Sequence, residues 1–229
     1  MRALVVVVLL LLGLAVVADR VAVGVAEGRV AREVAAKGGL AGTPDVSIGG
    51  FPFLTQAVAG RYDDVRISLT AAELGQPAGT RADIALHGVH VPLSSVLSGS
   101  VAEVPVDRIA GTATLSYALL SAQLGGDATV RREGDGLRIT KSVELLGQTF
   151  PLTAVGTVAL DGGALVIDVQ RATGAGVDVP EFLVTRVSNL LDLRYAVPAL
   201  PFGLQLTGVQ PGDDGVDVQV AARDTVLSG

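Results

Sequence analysis

The residues that could carry catalysis or bind a metal ion are few. The chain has two histidines, His87 and His90 in the sequence HGVH, and no cysteine. On a strand, side chains three positions apart point to opposite faces, so the two histidines would share a metal only across a bulge at Gly88. Surface histidines are the favoured interpretation. Absent cysteine excludes disulfides, thiol nucleophiles and cysteine-ligated metal centres.

Acidic and glycine-rich motifs give no stronger sign of catalysis. The neighbouring carboxylates Asp63–Asp64 and Asp213–Asp214 lie in polar stretches, where adjacent side chains point apart and are solvated. The segment Gly174–Val179, GAGVDV, has valine in place of the third glycine of a dinucleotide fingerprint, and no G-x-S-x-G, P-loop or H-E-x-x-H motif occurs. We therefore predict that the protein is not an enzyme, with no catalytic residues, metal or cofactor.

Apolar, aromatic and proline residues instead cluster at three places, in a chain with five Phe, three Tyr and no Trp. The clusters are Phe51–Leu54, Phe150–Leu152 and Pro198–Phe202. One interpretation is that they fill turns and core. The other is that they line the mouth of an apolar groove whose aliphatic walls suit acyl chains. Because proline cannot donate to a strand ladder, we expect Phe51–Leu54 at a sheet edge or bend and not as a buried plug.

Composition limits the partners. Of 229 residues, 49% are hydrophobic and 17% charged, and the net charge is −6. The few Lys and Arg are scattered along the chain. Because nucleic-acid binding needs a basic stripe, we predict no nucleic-acid partner.

The N-terminus predicts export. Arg2 precedes a run of about sixteen apolar residues, Ala3–Ala18, and Val16–Val17–Ala18 offers a small-residue cleavage site. We assign residues 1–18 to a signal peptide or signal anchor, with cleavage left open. The body then lies outside the plasma membrane, which the N-terminal segment contacts if it is retained. A cysteine-based lipid anchor is excluded.

The rest of the chain predicts a helix followed by a large sheet. Residues 19–39 form a helical stalk or first helix, with Val23, Ala26, Val30 and Val34 on one face. Beyond Thr43 apolar residues alternate with polar ones, as in half-buried antiparallel strands. No linker interrupts the remainder, so residues 40–229 are assigned to a single α+β domain.

Three further helices are predicted within this domain. Two are short, Pro92–Leu97 and Ser116–Leu124, the second with Ser116 as its N-cap. The best defined is Pro180–Leu191, where Asp178 and Glu181 form a capping box. Its apolar face, which includes Leu183, Val187, Leu190 and Leu191, is expected to pack on the sheet, either as core or facing a ligand.

These residues carry a resemblance to a known family. The motif PDVSIGGFPFLTQ from Pro44 to Gln56, the pattern G-x-Y-x-x-V from Gly60 to Val65, and LPFGL from Leu200 to Leu204 resemble the actinobacterial LmeA-like family of envelope phospholipid-binding proteins. The resemblance covers nearly the whole chain. It implies a non-enzymatic lipid binder, similar to tubular lipid-binding folds, in which a large curved antiparallel sheet wraps one or two amphipathic helices.

The resulting hypothesis is that the protein binds or transfers phospholipid, or another acyl lipid, in the cell envelope through an apolar groove. The candidate lipid-binding residues are Phe51, Phe53, Leu54, Phe150, Leu183, Val187, Leu190, Leu191 and Phe202. A head-group phosphate would meet Arg61, Arg66 or Arg194. Two alternatives stay open: a hydrolase or transferase acting on an envelope lipid or glycan, and a structural envelope domain with a filled core.

Overall fold

The computed structural model describes residues 2–98, 101, 103–125, 127–145, 148–161, 164–174, 177–178, 194–196 and 203–228. The helices in these ranges are α1 (Arg2–Gly38), α2 (Phe53–Ala59), α3 (Ala71–Leu74), α4 (Leu93–Ser98) and α5 (Tyr117–Gln123). The strands are β1 (Asp45–Ile48), β2 (Arg61–Leu69), β3 (Arg81–His90), β4 (Glu103–Ser116), β5 (Thr129–Glu133), β6 (Gly136–Leu145), β7 (Gln148–Asp161), β8 (Ala164–Gly174), β9 (Val177–Asp178), β10 (Arg194–Ala196), β11 (Gln205–Pro211) and β12 (Gly215–Ser228).

The strands form two antiparallel sheets. The first has six strands in the order β1-β2-β3-β4-β12-β11. The second has the order β10-β8-β7-β6-β5, with β9 also paired to β8. This architecture confirms the predicted α+β class with a large antiparallel sheet. The predicted helix Pro180–Leu191 lies outside the described residues.

Residue contacts divide the chain into two compact units. Unit 1 comprises Met1–Leu69, Asp83–Ala110 and Ala222–Gly229. Unit 2 comprises Thr70–Ala82 and Gly111–Ala221. Each unit has buried aliphatic residues of its own, so each is described separately below.

Helix α1 begins at Arg2 and continues to Gly38 without interruption, so the apolar run and the predicted stalk form one helix. At 1.5 Å per residue its 37 residues extend about 56 Å. Its length and composition would allow it to cross a membrane, and 6% of its most apolar window is buried. In its second half Val23 of the predicted face is buried, and Ala26, Val30 and Val34 are half-buried; Ala31, outside the predicted face, is also buried.

Unit 1 is built on the edge strand β1 and its neighbours. Val46 and Ile48 of β1 are buried and alternate with exposed residues, as an edge strand with one packed face requires. Val46 pairs with Ile67 and Ile48 with Val65 on β2. The alternation of apolar and polar residues in the sequence therefore correctly predicts which face of these strands is packed against the core.

The core of unit 2 is an aliphatic layer between the second sheet and strands β11 and β12. It holds these buried residues: Val130, Leu137, Ile139, Leu152, Ala154, Ala172, Val216 and Val218. Leu120 and Leu124 at the end of α5 pack against it. The Ser116 hydroxyl accepts a hydrogen bond from the Leu119 N–H at 3.2 Å, which confirms the predicted cap of this helix.

Strand β5 pairs with β6, and β7 with β8, directly up to the residues that connect them. Glu133 pairs with Gly136 across the β5–β6 turn, and Asp161 with Ala164 across the β7–β8 turn. A bulge interrupts the β7–β8 pairing between Val155 and Gly156. A Cβ atom on Gly156 would lie 2.2 Å from the Asp168 carbonyl oxygen, so the close approach of these strands requires glycine.

Candidate functional site

The strongest candidate for a lipid-binding surface in the described residues is the core-facing side of β7 and β8. Val158 and Leu160 on β7, with Ile167 and Val169 on β8, continue the aliphatic layer of unit 2. Val158 pairs with Ile167, and Gly156 with Val169. We call these four residues, Val158, Leu160, Ile167 and Val169, the aliphatic wall.

Along this face of the sheet, side chains become more exposed from Ala154 and Ala172 toward the four residues of the aliphatic wall. Ala154 and Ala172 are 1% exposed, whereas all four wall residues are only half-buried. Small alanines occupy the closed end and larger aliphatic side chains the more open end, beside the β7–β8 turn. Branched aliphatic side chains that keep partial exposure offer an apolar contact surface without a hydrogen-bonding group, which is the chemistry of an acyl-chain wall.

A cluster of polar groups in unit 2 lies at the start of β12, near the turn between β11 and β12. The Tyr117 hydroxyl donates to the Gly212 carbonyl at 2.7 Å, and the Thr114 hydroxyl donates to Asp217 at 2.6 Å. Burial raises the pKa of Tyr117, and the nearby Arg132 opposes the shift. Because these hydroxyl, carbonyl and carboxylate groups form hydrogen bonds with one another, their role is to stabilise the turn.

The Phe51–Leu54 segment lies just after the edge strand β1, where Gly49 and Gly50 turn the chain into α2. This confirms the expected position at a sheet edge or bend. Phe51 is 64% exposed and Leu54 40% exposed. Phe53 is 5% exposed, so the expectation that this segment is not a buried plug is wrong for Phe53.

Phe53 is buried because it begins a helix that lies on the body of unit 1. Its ring centroid is 5.9 Å from that of Tyr62 on β2, with a 32° angle between the rings. Burial raises the pKa of the Tyr62 hydroxyl. The pair is a hydrophobic contact of the core, whereas Phe51 and Leu54 point to the surface.

Helix α1 is attached to unit 1 by two carboxylates. Asp19 accepts a hydrogen bond from the Leu54 N–H at 2.8 Å, and Glu27 accepts one from the Ile48 N–H at 2.9 Å. Pro52, at the start of α2, provides no side-chain cap, so Asp19 satisfies a free N–H there. The Arg20 guanidinium donates to Asp19 at 2.6 Å and lies 5.2 Å from the centre of the Phe51 ring.

The histidines bind different carboxylates, as surface residues. His87 Nδ1 lies 3.4 Å from Asp64, and His90 Nε2 lies 2.9 Å from Asp107. Gly88 between them has φ +64°, a backbone conformation that favours glycine. In the described part of the chain, no group of three metal-ligating side chains occurs.

Two of the three candidate head-group arginines are paired. Arg61 contacts Asp107 at 3.1 Å and Arg66 contacts Asp64 at 3.0 Å, and both guanidinium groups are largely exposed. Arg194 lies on β10, in register with Val166. Exposed ion pairs of this kind are weak.

The Asp213–Asp214 pair also divides between two cations. Asp213 contacts Arg132 at 2.7 Å, and Asp214 contacts Arg81 at 3.2 Å. The two carboxylates therefore bind separate arginines. This arrangement matches the solvated turn expected from the sequence.

The other predicted lipid-binding residues are only partly located. Phe150 lies on β7 and pairs with Val143 of β6. Leu183, Val187, Leu190, Leu191 and Phe202 lie outside the described residues. The described structure therefore brings Phe51 and Leu54 together at the surface of unit 1 and does not test the predicted helix face.

Sequence reasoning missed the aliphatic wall and the role of Asp19. The alternation of Leu165, Ile167 and Val169 identified a strand, but which distant strand faces it depends on tertiary packing. Val58, 76% exposed, was also missed, although it follows Leu54 at helical spacing.

Fold and site together define a class: an α+β protein with an aliphatic layer between sheets and a long apolar helix at its N-terminus. The chain belongs to the LmeA-like phospholipid-binding family, whose model matches residues 17–221. The resemblance read from the sequence is thereby confirmed. No curated protein and no solved structure matches the chain.

Proposed function

We propose that this protein binds phospholipid by packing acyl chains against the aliphatic wall of unit 2, and that it carries or transfers phospholipid in the cell envelope without chemical reaction. Family membership supports phospholipid binding in general. The observation that carries the finer proposal is the half-buried aliphatic surface of Val158, Leu160, Ile167 and Val169.

The physical basis is the removal of two apolar surfaces from water. An acyl chain lying along the wall would cover the residual exposed area of four aliphatic side chains. Each square ångström of apolar surface covered contributes about 25 cal/mol. Because the wall has no directional polar group, it would select for acyl chains in general and leave head-group choice to polar residues elsewhere.

The proposed location is the outer face of the plasma membrane or the envelope space beyond it. The apolar run in α1 supports this location, since its first half is exposed and long enough to act as a signal or anchor. A reporter active only outside the cytoplasm, fused after Gly38, should give a signal. Activity of a cytoplasm-only reporter at the same position would contradict export.

The test of binding is whether phospholipid accompanies the protein. Protein purified from cells in mild conditions should carry phospholipid in native mass spectrometry and in solvent extracts. The variant Ile167→Trp, which fills space at the wall, should carry several-fold less lipid. Overpacking costs about 1–3 kcal/mol, so the variant should still fold.

The matched control is Asp168→Trp on the same strand, since Asp168 is exposed and points to the opposite face. It should keep the lipid content of the parent protein. A folded parent without lipid would favour the structural domain with a filled core. Conversion of added phospholipid into cleaved or transferred products would favour the hydrolase or transferase.

A further inference from the structure

Helix α2 carries an apolar patch on the surface of unit 1. Phe51, Leu54 and Val58 are 64%, 40% and 76% exposed, respectively. Leu54 and Val58, four residues apart, share one side of α2, while Phe53 and Ala57 are buried against the body; Phe51 precedes the helix by two residues. Single exposed apolar residues are ordinary, but two on one side of a seven-residue helix, with an exposed phenylalanine just before that helix, form a patch. We call Phe51, Leu54 and Val58 the α2 patch.

The α2 patch lies beside the end of the apolar run. Asp19 is the first charged residue after Ala3–Ala18, and its carboxylate accepts the Leu54 N–H at 2.8 Å. Arg20, the next residue, lies over the Phe51 ring at 5.2 Å. The patch is therefore at the level at which α1 would leave the hydrocarbon of a bilayer.

The length of the apolar run bears on how near the body lies to the bilayer. Sixteen helical residues extend about 24 Å, whereas the hydrocarbon core is about 30 Å thick. A span that is too short is accommodated when neighbouring parts of the protein approach the membrane or the bilayer thins. Residues close to Asp19 would then be drawn into the interface.

The residues after Asp19 favour this approach. The Asp19 side chain is 3% exposed and paired with Arg20, so the first carboxylate is shielded. Val21 and Val25, on the side of α1 away from Asp19, are 61% and 59% exposed. The apolar surface of α1 thus continues beyond the first charge for about two turns.

We propose that the α2 patch inserts into the lipid interface of the membrane that holds residues 3–18, with Arg20 at the level of the head-group phosphates. The inference rests on the proposed export and membrane attachment of α1. Aromatic rings and a cation with a long apolar stem are suited to this boundary. The patch thereby determines which side of unit 1 faces the bilayer.

The chain lacks tryptophan, which makes a direct test possible. The full chain carrying Phe51→Trp or Val58→Trp would be reconstituted in vesicles of equal parts phosphatidylglycerol and phosphatidylcholine, with retention of residues 2–18 checked by intact mass. Lipids brominated in the acyl chain quench tryptophan only at close range. The control is Val226→Trp, an exposed position of unit 1 on β12, 45% exposed in the native protein.

We expect both α2 probes to be quenched by brominated lipid several-fold more strongly than Val226→Trp, and to be several-fold less accessible to iodide in the water. Equal iodide access at all three positions would overturn the inference. Emission shifted to the blue without bromine quenching would also overturn it, because the patch would then contact protein.

The phospholipid content of the same variants, measured by native mass spectrometry on protein purified from cells before reconstitution, keeps the two proposals distinguishable. Phospholipid bound to protein whose α2 probes remain in water would refute membrane insertion and leave lipid binding intact. Quenched probes on protein that binds no phospholipid within its fold would support insertion and refute the proposed function.

Discussion

Replacing Phe53 by alanine should destabilise unit 1 strongly. The ring is 5% exposed and packs 5.9 Å from the Tyr62 ring, so the substitution removes a nearly complete burial. Truncating a buried phenylalanine costs about 3–5 kcal/mol, through lost transfer free energy and the cavity left behind. At about 2–4 °C per kcal/mol for a chain of this size, the melting temperature should fall by roughly 6–20 °C.

The matched control is Phe51→Ala, two residues earlier in the same segment. Phe51 is 64% exposed, so its replacement should change stability by no more than about 0.5 kcal/mol. Thermal unfolding of the full chain in detergent micelles, followed by circular dichroism, compares the two variants directly. A loss below about 1 kcal/mol for Phe53→Ala would show that its ring is not core and would refute the reasoning from burial.

Three further substitutions concern two glycines and an ion pair. Gly134→Ala should cost about 1 kcal/mol, because its φ of +59° is strained for alanine. Gly88→Ala should cost about 1 kcal/mol more in the same thermal assay, since its Cβ would also lie 2.1 Å from an Asp107 oxygen; equal costs would show that Asp107 moves freely. The Arg138 hydrogen bonds hold the pKa of Glu133 below its ordinary value near 4.5, opposed by partial desolvation. This contribution to stability is present above the ordinary pKa and is lost as pH falls through the lower, folded-state pKa. Glu133→Gln should therefore be less stable than the parent in urea at neutral pH and equally stable in strong acid; a difference that persists in acid would contradict the assignment.

Local pattern was sufficient to predict several strands and one capped helix. Alternation in residues 65–69 and 216–220 reflects one packed face of an antiparallel sheet, and a slip of one residue would expose it. Ser116 was recognisable as a cap because its hydroxyl acts three residues away. These features depend on neighbours in sequence, so the sequence alone suffices.

Two short helices were not predicted, for different reasons. Helix α2 has seven residues, too few for a clear helical period, and its burial depends on Tyr62. Helix α3 carries a readable signal that was overlooked: Thr70 and Glu73 form a capping box, and hydrogen bonds from Thr70 lower the pKa of Glu73.

Contacts between distant segments were beyond local reasoning. The hydrogen bond from Leu54 to Asp19 joins residues 35 positions apart, and no periodicity connects them. The aliphatic wall is likewise defined by which strands face each other across unit 2. The alternation along β8 predicted that one face of this strand would be buried. That the wall residues keep partial exposure depends on which other strands pack against them, which the alternation does not show.

The two carboxylates on α1 have a mechanical consequence. Asp19 and Glu27 are eight residues apart, about 12 Å along the helix, and each accepts a backbone N–H of unit 1. Two hydrogen bonds at different heights on one helix restrain both its position along its axis and its rotation about that axis. The apolar segment therefore cannot rotate freely relative to the rest of unit 1. With that segment retained, unit 1 would move with its membrane by lateral diffusion and would not swing out on a flexible tether. Any lipid it exchanged over a longer distance would have to be handed to another carrier.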